Sequence, residues 1–259
     1  MLNPVAPERE LQVAGSTVLI RRQGIGVPVL VAPSDIGSPG WSEFHEALSQ
    51  SHDVIAVDLP GFNALHSAEW IRHPRDLAAL LGLTLDKLGV GEALVVGVGF
   101  GGWLAAELAT FAQGRLAGLV LVNPMGLKPR EGEIFDQFLV GHEDYVRRGF
   151  QDADRFTALY GASADIDQLI KWDHAREMTS RVAWKPYMFN HALAHLIQGI
   201  QIPTLIVAGE NDEIVPASAS RQYAEAIAGA GLETIPAAGH WLDLEKPDDL
   251  AQLIKSFQG

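Results

Sequence analysis

The sequence predicts an α/β fold: a mostly parallel central sheet with helices on both faces and a helical segment inserted late in the chain. Three observations predict it. Apolar, β-branched runs of strand length alternate with stretches of helical periodicity, the pattern of a parallel sheet covered on both sides. The strand-like runs end in Pro or Gly, as in "VPVLVAP" (27–33) and "HDVIAVDLPG" (52–61), which suits buried central strands. From residue 125 to about 198 the alternation stops, and helix formers, charged residues and large aromatics take over.

Taken in order, Leu11 to Gln23 reads as a hairpin turning at Gly15-Ser16. The runs at 27–33 and 52–61 are strands, with helical spacing from Trp41 to Ser49 between them. "HPRDLAALLGLTLDKLGV" (73–90) places Leu77, Leu80, Leu81, Leu85 and Leu88 on one helical stripe, with Pro74 near the first helical position. A strand at Ala93–Val96, a helix at Phe100–Gln113 and a strand at Leu116–Asn123 follow. After the insertion come a strand (Ile202–Ala208), a helix (Ser218–Ala228), a strand (Leu232–Ile235) and a helix (Asp248–Phe257). Residues 1–124 and 199–259 then form one core, and 125–198 a helical cap over the carboxyl edge of the sheet. Phe135, Phe138, Tyr145, Trp172, Trp184, Tyr187 and Phe189 either fix that cap to the core or line a pocket beneath it, with Trp172 and Trp184 the pocket candidates. His191 and His195 are weaker ones.

Composition narrows the partners. A net charge of −13 argues against nucleic acid or an anionic membrane surface, because both reward the opposite sign. Absence of cysteine excludes disulfides, cysteine metal sites and a thiol nucleophile. The start "MLNPVAPERE" shows no basic segment followed by an apolar one, so a cytoplasmic protein is the expectation. Ala93 to Ala112 is apolar enough to suggest a membrane span, but its glycines, Glu107 and change of period favour a buried strand–turn–helix. No H-E-x-x-H spacing or glycine-rich nucleotide fingerprint is present, so neither metal nor other cofactor is expected and a small molecule is the expected partner.

The chemistry concentrates in "LVVGVGFGGWLAAELA" (94–109). A strand enters a glycine-rich turn and leaves as a helix, the setting of the G-x-S-x-G nucleophile elbow. Here the turn reads Gly97-Val98-Gly99-Phe100-Gly101. With "IAVDLPGF" (55–62), "IPTLIVAGENDEIVP" (202–216) and "IPAAGHWLDLEKPDDL" (235–250), this order of motifs resembles the α/β-hydrolase superfamily over nearly the whole chain, closest to the capped esterases and carbon–carbon-bond hydrolases. The resemblance implies Asp212, in Gly209-Glu210-Asn211-Asp212, as the triad acid and His240, in "AAGHW", as the base. A carboxylate facing Nδ1–H fixes the tautomer and steadies the imidazolium.

The chain departs from the family at the nucleophile. Gly99 stands where the family has serine or aspartate, so no acyl- or alkyl-enzyme can form there. The family's H-G-x-G oxyanion segment is replaced by Pro33-Ser34-Asp35-Ile36-Gly37. Asp35 turned inward would oppose an oxyanion by roughly 4 kcal/mol at about 4 Å in an effective dielectric near 20. These two departures also resemble the N-myc downstream-regulated family, hydrolase folds thought to be non-catalytic.

Three readings follow. The first is a nucleophile-free enzyme in which the Asp212–His240 dyad serves as general base toward a small carbonyl compound, by water attack or by a lyase, isomerase or decarboxylase step. The second is an inactive scaffold that binds a small molecule or a protein. The third is a weak hydrolase using the Ser34 hydroxyl. The first predicts room beside Gly99, flanked by His240 and by Asp35 or the Phe100 N–H, and extending beneath Trp103 or the cap aromatics.

Overall fold

The computed structural model describes residues 7–63 and 65–257. β1 (Glu8–Val13) and β2 (Ser16–Gln23) form the expected hairpin. Its turn is Ala14-Gly15, both at positive φ (49° and 75°), the geometry whose twist matches the flanking strands. Then come β3 (Val27–Ala32), α1 (Glu43–Ser49), β4 (His52–Asp58), α2 (Pro74–Leu88), β5 (Ala93–Val98), α3 (Phe100–Ala112) and β6 (Leu116–Val122). Four helices occupy the inserted stretch: α4 (His142–Arg148), α5 (Ala153–Tyr160), α6 (Ile166–Ala183) and α7 (Leu193–Leu196). β7 (Thr204–Gly209), α8 (Ala217–Ala226), β8 (Gly231–Ile235), α9 (Leu242–Glu245) and α10 (Pro247–Ser256) complete the chain.

The strands form one sheet of eight in the order β1-β2-β4-β3-β5-β6-β7-β8. β2 runs antiparallel to β1 and β4, and every pairing from β4–β3 to β7–β8 is parallel. Every residue of β5 and β7 is buried, whereas four of the five in the edge strand β8 are exposed, as central and edge positions require. On α2, Leu77, Leu80, Leu81 and Leu85 are fully buried, each such side chain contributing roughly 1.5–3 kcal/mol. Leu88 packs at the margin of the core. His73 and Asp76 cap that helix, and Gly89 ends it in the left-handed conformation.

The apolar window from Ala93 to Ala112 is β5, a one-residue turn and α3. Among the described residues no helix is long and apolar enough to cross a membrane. Parallel pairing brings the carboxyl ends of β3, β5, β6 and β7 to one edge of the sheet. The segments that leave those ends carry Asp35, Gly99, Asn123 and Asp212, and the segment after β8 brings His240 to the same edge. Open α/β sheets place ligands in that crevice.

Candidate active site

β5 passes into α3 through a single residue, Gly99, at φ 56° and ψ −115°. A side chain held there costs of order 1–3 kcal/mol. Its N–H donates to the Val122 carbonyl at 2.9 Å, and its own carbonyl accepts from Met125 N–H at 3.0 Å. The turn is tight enough that a β-carbon on Gly97 would lie 2.2 Å from the Gly101 carbonyl.

Asp212 sits in the turn after β7. Its Oδ1 accepts from the N–H groups of Ile214 and Val215 at 2.8 and 2.9 Å, which leaves Oδ2 for His240 Nδ1 at 2.7 Å. His240 is itself held from three sides. Its N–H donates to the Gly149 carbonyl at 2.7 Å. Asn123 Nδ2 donates to the carbonyls of Gly239 and His240 at 3.1 and 2.9 Å. The Trp241 ring meets the imidazole edge to face at 4.4 Å. Asn123 Oδ1 also accepts from Gly209 N–H at 2.9 Å, so one buried amide ties the acid's segment to the histidine's. Glu245 adds a strut by accepting from Gly239 N–H at 2.6 Å.

The other face of the imidazole meets a second carboxylate. Asp35 points inward and is 1% exposed. Its Oδ2 accepts from the Tyr145 hydroxyl at 2.6 Å. Its Oδ1 lies 3.9 Å from His240 Nε2 and 3.5 Å from the Phe100 N–H at the start of α3. A β-carbon built on Gly99 would meet Asp35 Oδ1 and His240 Nε2, each at 2.6 Å. The room expected beside Gly99 is therefore taken up by the Asp35 carboxylate, which replaces a missing side chain from the opposite wall.

The electrostatics follow. Burial by itself lowers the pKa of His240, but the charge and hydrogen bond of Asp212, with Asp35 behind them, outweigh it and raise the value to about 10. At neutral pH the ring is an imidazolium between two carboxylates, with Nε2 buried and without a hydrogen-bond partner. Burial and then the Asp35 charge hold the Tyr145 hydroxyl well above its ordinary value, so it stays a donor. Asp243 is also buried, and burial pushes its carboxyl up to about 6. It walls a cavity of about 560 Å³ with Trp41, Glu43, Arg155 and Tyr160, and a recess of about 10 Å³ with Pro33, Ser34 and Val98.

Several residues singled out from sequence sit elsewhere. Ser34 is spent within its own turn, its hydroxyl donating to the Gly37 carbonyl at 3.0 Å. Trp103 gives its indole N–H to Glu107 at 3.2 Å and lines a separate cavity with Arg75, Glu107 and Pro186. Trp172 is buried against Tyr160. Trp184 is 52% exposed and packs on Phe138 and Tyr187. His191 meets Phe189, and His195 lines a cavity with Arg130 and Gln222. Sequence reading assigned no role to Asn123, Glu245 or Asp243, and took Tyr145 only as one of the cap aromatics. Asn123, a polar residue ending an otherwise apolar strand, carried a usable signal.

Comparison with known proteins agrees with the topology. The sequence profile described as the alpha/beta hydrolase family matches residues 29–253. A 2-hydroxymuconate semialdehyde hydrolase of Pseudomonas putida is 27% identical, covering 96% of this chain and 93% of its own. A 2-hydroxy-6-oxononadienedioate/2-hydroxy-6-oxononatrienedioate hydrolase of Burkholderia vietnamiensis is 26% identical, covering 88% and 85%. Among solved structures, a meta-cleavage product hydrolase of Pseudomonas fluorescens superposes with a TM-score of 0.78 at 23% identity, covering 96% of each chain. Naproxen esterase of Bacillus subtilis gives 0.79 at 16% identity, over 99% and 93%. These two show the shared fold.

Proposed function

The chain belongs to the alpha/beta hydrolase family, and from that premise we propose that it is an acid–base enzyme acting on a small organic carbonyl compound without a covalent serine intermediate. The observation that carries the reading is the 2.7 Å bond from Asp212 to His240 Nδ1, which aims a buried Nε2 at an elbow with no side chain. The carbonyl hydrolases among its relatives supply the substrate class.

The charge of the ring sets the order of events. With its pKa raised by Asp212 and Asp35, the imidazole meets a carbonyl first as a donor and then takes up the base role expected from sequence. It transfers a proton from Nε2 to the carbonyl oxygen, while Asp212 keeps the Nδ1–H tautomer that results. Only then is the ring a base, able to take a proton from water or substrate. Such positioned proton transfer contributes on the order of 10²–10⁴ in rate. Acid-first chemistry suits isomerase, lyase and decarboxylase steps better than direct water attack. The bond from Tyr145 of α4 to Asp35 supports reading residues 125–198 as a cap.

A panel of activated and enolisable carbonyl compounds, incubated with wild type and with His240→Ala, tests the reading. Turnover by wild type that the variant lacks is expected. Equal rates in the two overturn it. The scaffold reading draws on one observation, the filling of the site by Asp35 and Tyr145 behind a closed surface. It expects a ligand that raises the melting temperature with no product formed.

A further inference from the structure

We propose that Asp35 does the work left open by Gly99: its Oδ1 accepts the α-proton of a small, neutral, enolisable carbonyl compound while His240 protonates the carbonyl oxygen. The inference rests on the acid–base reading above and supplies the proton acceptor that reading lacks.

Position is the first argument. Oδ1 stands 2.6 Å from the point a Gly99 β-carbon would occupy. A side chain at this elbow would project into the same crevice. Asp35 arrives there from the carboxyl end of β3 instead of from the elbow. The second argument is the pairing. A carboxylate and a ring nitrogen 3.9 Å apart are too far for a hydrogen bond and close enough to act on neighbouring atoms of one substrate. Nε2 has no other partner.

The third argument is how Asp35 is held. The Tyr145 hydroxyl fixes Oδ2 at 2.6 Å, and the Phe100 N–H at the head of α3 faces Oδ1 at 3.5 Å. Both are donors aimed at the carboxylate oxygens. Oδ1 keeps only that one long contact, so it is the more available oxygen.

The charges then select the substrate. The groups facing the imidazole are Asp212 after β7, Asp35 after β3 and Asp243 on α9, with Tyr145 on α4 behind Asp35. Three carboxyl groups gathered around one ring disfavour an anionic group at the reacting carbon. Charge therefore favours a neutral ketone or aldehyde.

The step balances as follows. The α C–H bond breaks and its proton goes to Asp35 Oδ1. The freed electron pair forms the enol double bond. The carbonyl π pair moves to oxygen, which takes the proton from Nε2. Asp35 then returns its proton to carbon and the enol O–H returns its own to Nε2, with no oxidation or reduction. Return to the same carbon, after Asp35 has traded that proton for one from solvent, is exchange; return to a vinylogous carbon is isomerisation.

Deuterium uptake at the α-carbon of cyclohexanone and phenylacetone in D2O, followed by proton NMR with the full chain, tests this. Wild type should exceed buffer, and isosteric Asp35→Asn should lose about 100-fold or more. Asp35→Ala should lose as much and regain exchange with added formate, which a structural role would not produce. In ring ¹⁵N spectra the His240 titration midpoint should fall in Asp35→Asn. Exchange that needs His240 but survives in Asp35→Asn, or an unmoved midpoint, overturns the role of Asp35 and leaves the acid–base reading standing. Turnover of other carbonyl compounds, dependent on His240, with no ketone exchange in wild type, does the same. No turnover of any carbonyl compound overturns both.

Discussion

Asp35 and Gly99 fit one another as plug and socket: the carboxylate oxygen of one lies 2.6 Å from where the other's β-carbon would be. Neither departure from the family pattern makes sense alone. A side chain at Gly99 would collide with Asp35 Oδ1, and without Asp35 the buried Nε2 of His240 would lose the carboxylate 3.9 Å from it.

Gly99→Ser therefore does not create a serine hydrolase. The new β-carbon meets two polar atoms at 2.6 Å and adopts a φ of 56°, a strain of order 1–3 kcal/mol. The expected result is a lower melting temperature and no adduct with a fluorophosphonate by intact-mass spectrometry. Gly99→Ser combined with Asp35→Ala removes the Asp35 clash, leaving His240 Nε2 beside the new side chain, and frees the Phe100 N–H. That double variant should label.

The pH dependence of stability follows from His240. Its folded value of about 10 stands above the ordinary 6.5. The folded state thus binds the proton more tightly, and the stabilisation is complete below about pH 6.5 and disappears as pH rises through about 10. Asp243, raised from 3.8 to about 6, acts with the same sign in a lower window. Tyr160 and Tyr187, held above their ordinary value by burial, act above pH 10. Thermal melts between pH 7 and 10 should show wild type losing stability. His240→Ala should lack that slope and start roughly 3–5 kcal/mol lower, because two buried carboxylates lose their counter-charge. A parallel slope in both proteins would contradict this.

The fold was legible because periodicity and strand-length runs report burial directly. The leucine stripe of α2 and the apolar runs of β5 and β6 were readable one residue at a time. Asp212 and His240 were findable through their local motifs, although the bond between them spans 28 positions. Asp35 was visible as a residue, but the direction of its side chain was not. Which way it turns depends on Tyr145, which is 110 positions away, and no local pattern encodes such a contact. The aromatics misled for a related reason. A tryptophan in an amphipathic segment signals burial somewhere, not burial at the site, so Trp172 found Tyr160 and Trp184 stayed half outside.

Asn123→Ala should impair the dyad without touching substrate. The substitution removes three hydrogen bonds to Gly209, Gly239 and His240, each contributing about 1 kcal/mol. It also places alanine at a φ of 43°, which asparagine tolerates better. A fall in denaturation midpoint worth roughly 2–4 kcal/mol is expected, with kcat reduced more than KM changes. An unaltered kcat would mean that the two segments hold their places without this amide.

Tyr145→Phe separates holding the cap from packing it. The ring keeps its contacts with Phe135 and Trp241 at 6.3 and 6.1 Å, so what is lost is the bond to Asp35. A carboxylate oxygen in a buried site then goes unpaired, at a cost of roughly 1.5–3 kcal/mol for a hydrogen bond to a charged group. That cost is relieved most readily by letting water in, which requires α4 to lift from the Pro33–Gly37 turn. Hydrogen–deuterium exchange should therefore rise in peptides covering 142–148 and 33–37, while those covering β5 and β6 stay protected. Uniform exchange across all four segments, with stability lowered, would instead place the hydroxyl's role in global folding and not in closure of the cap.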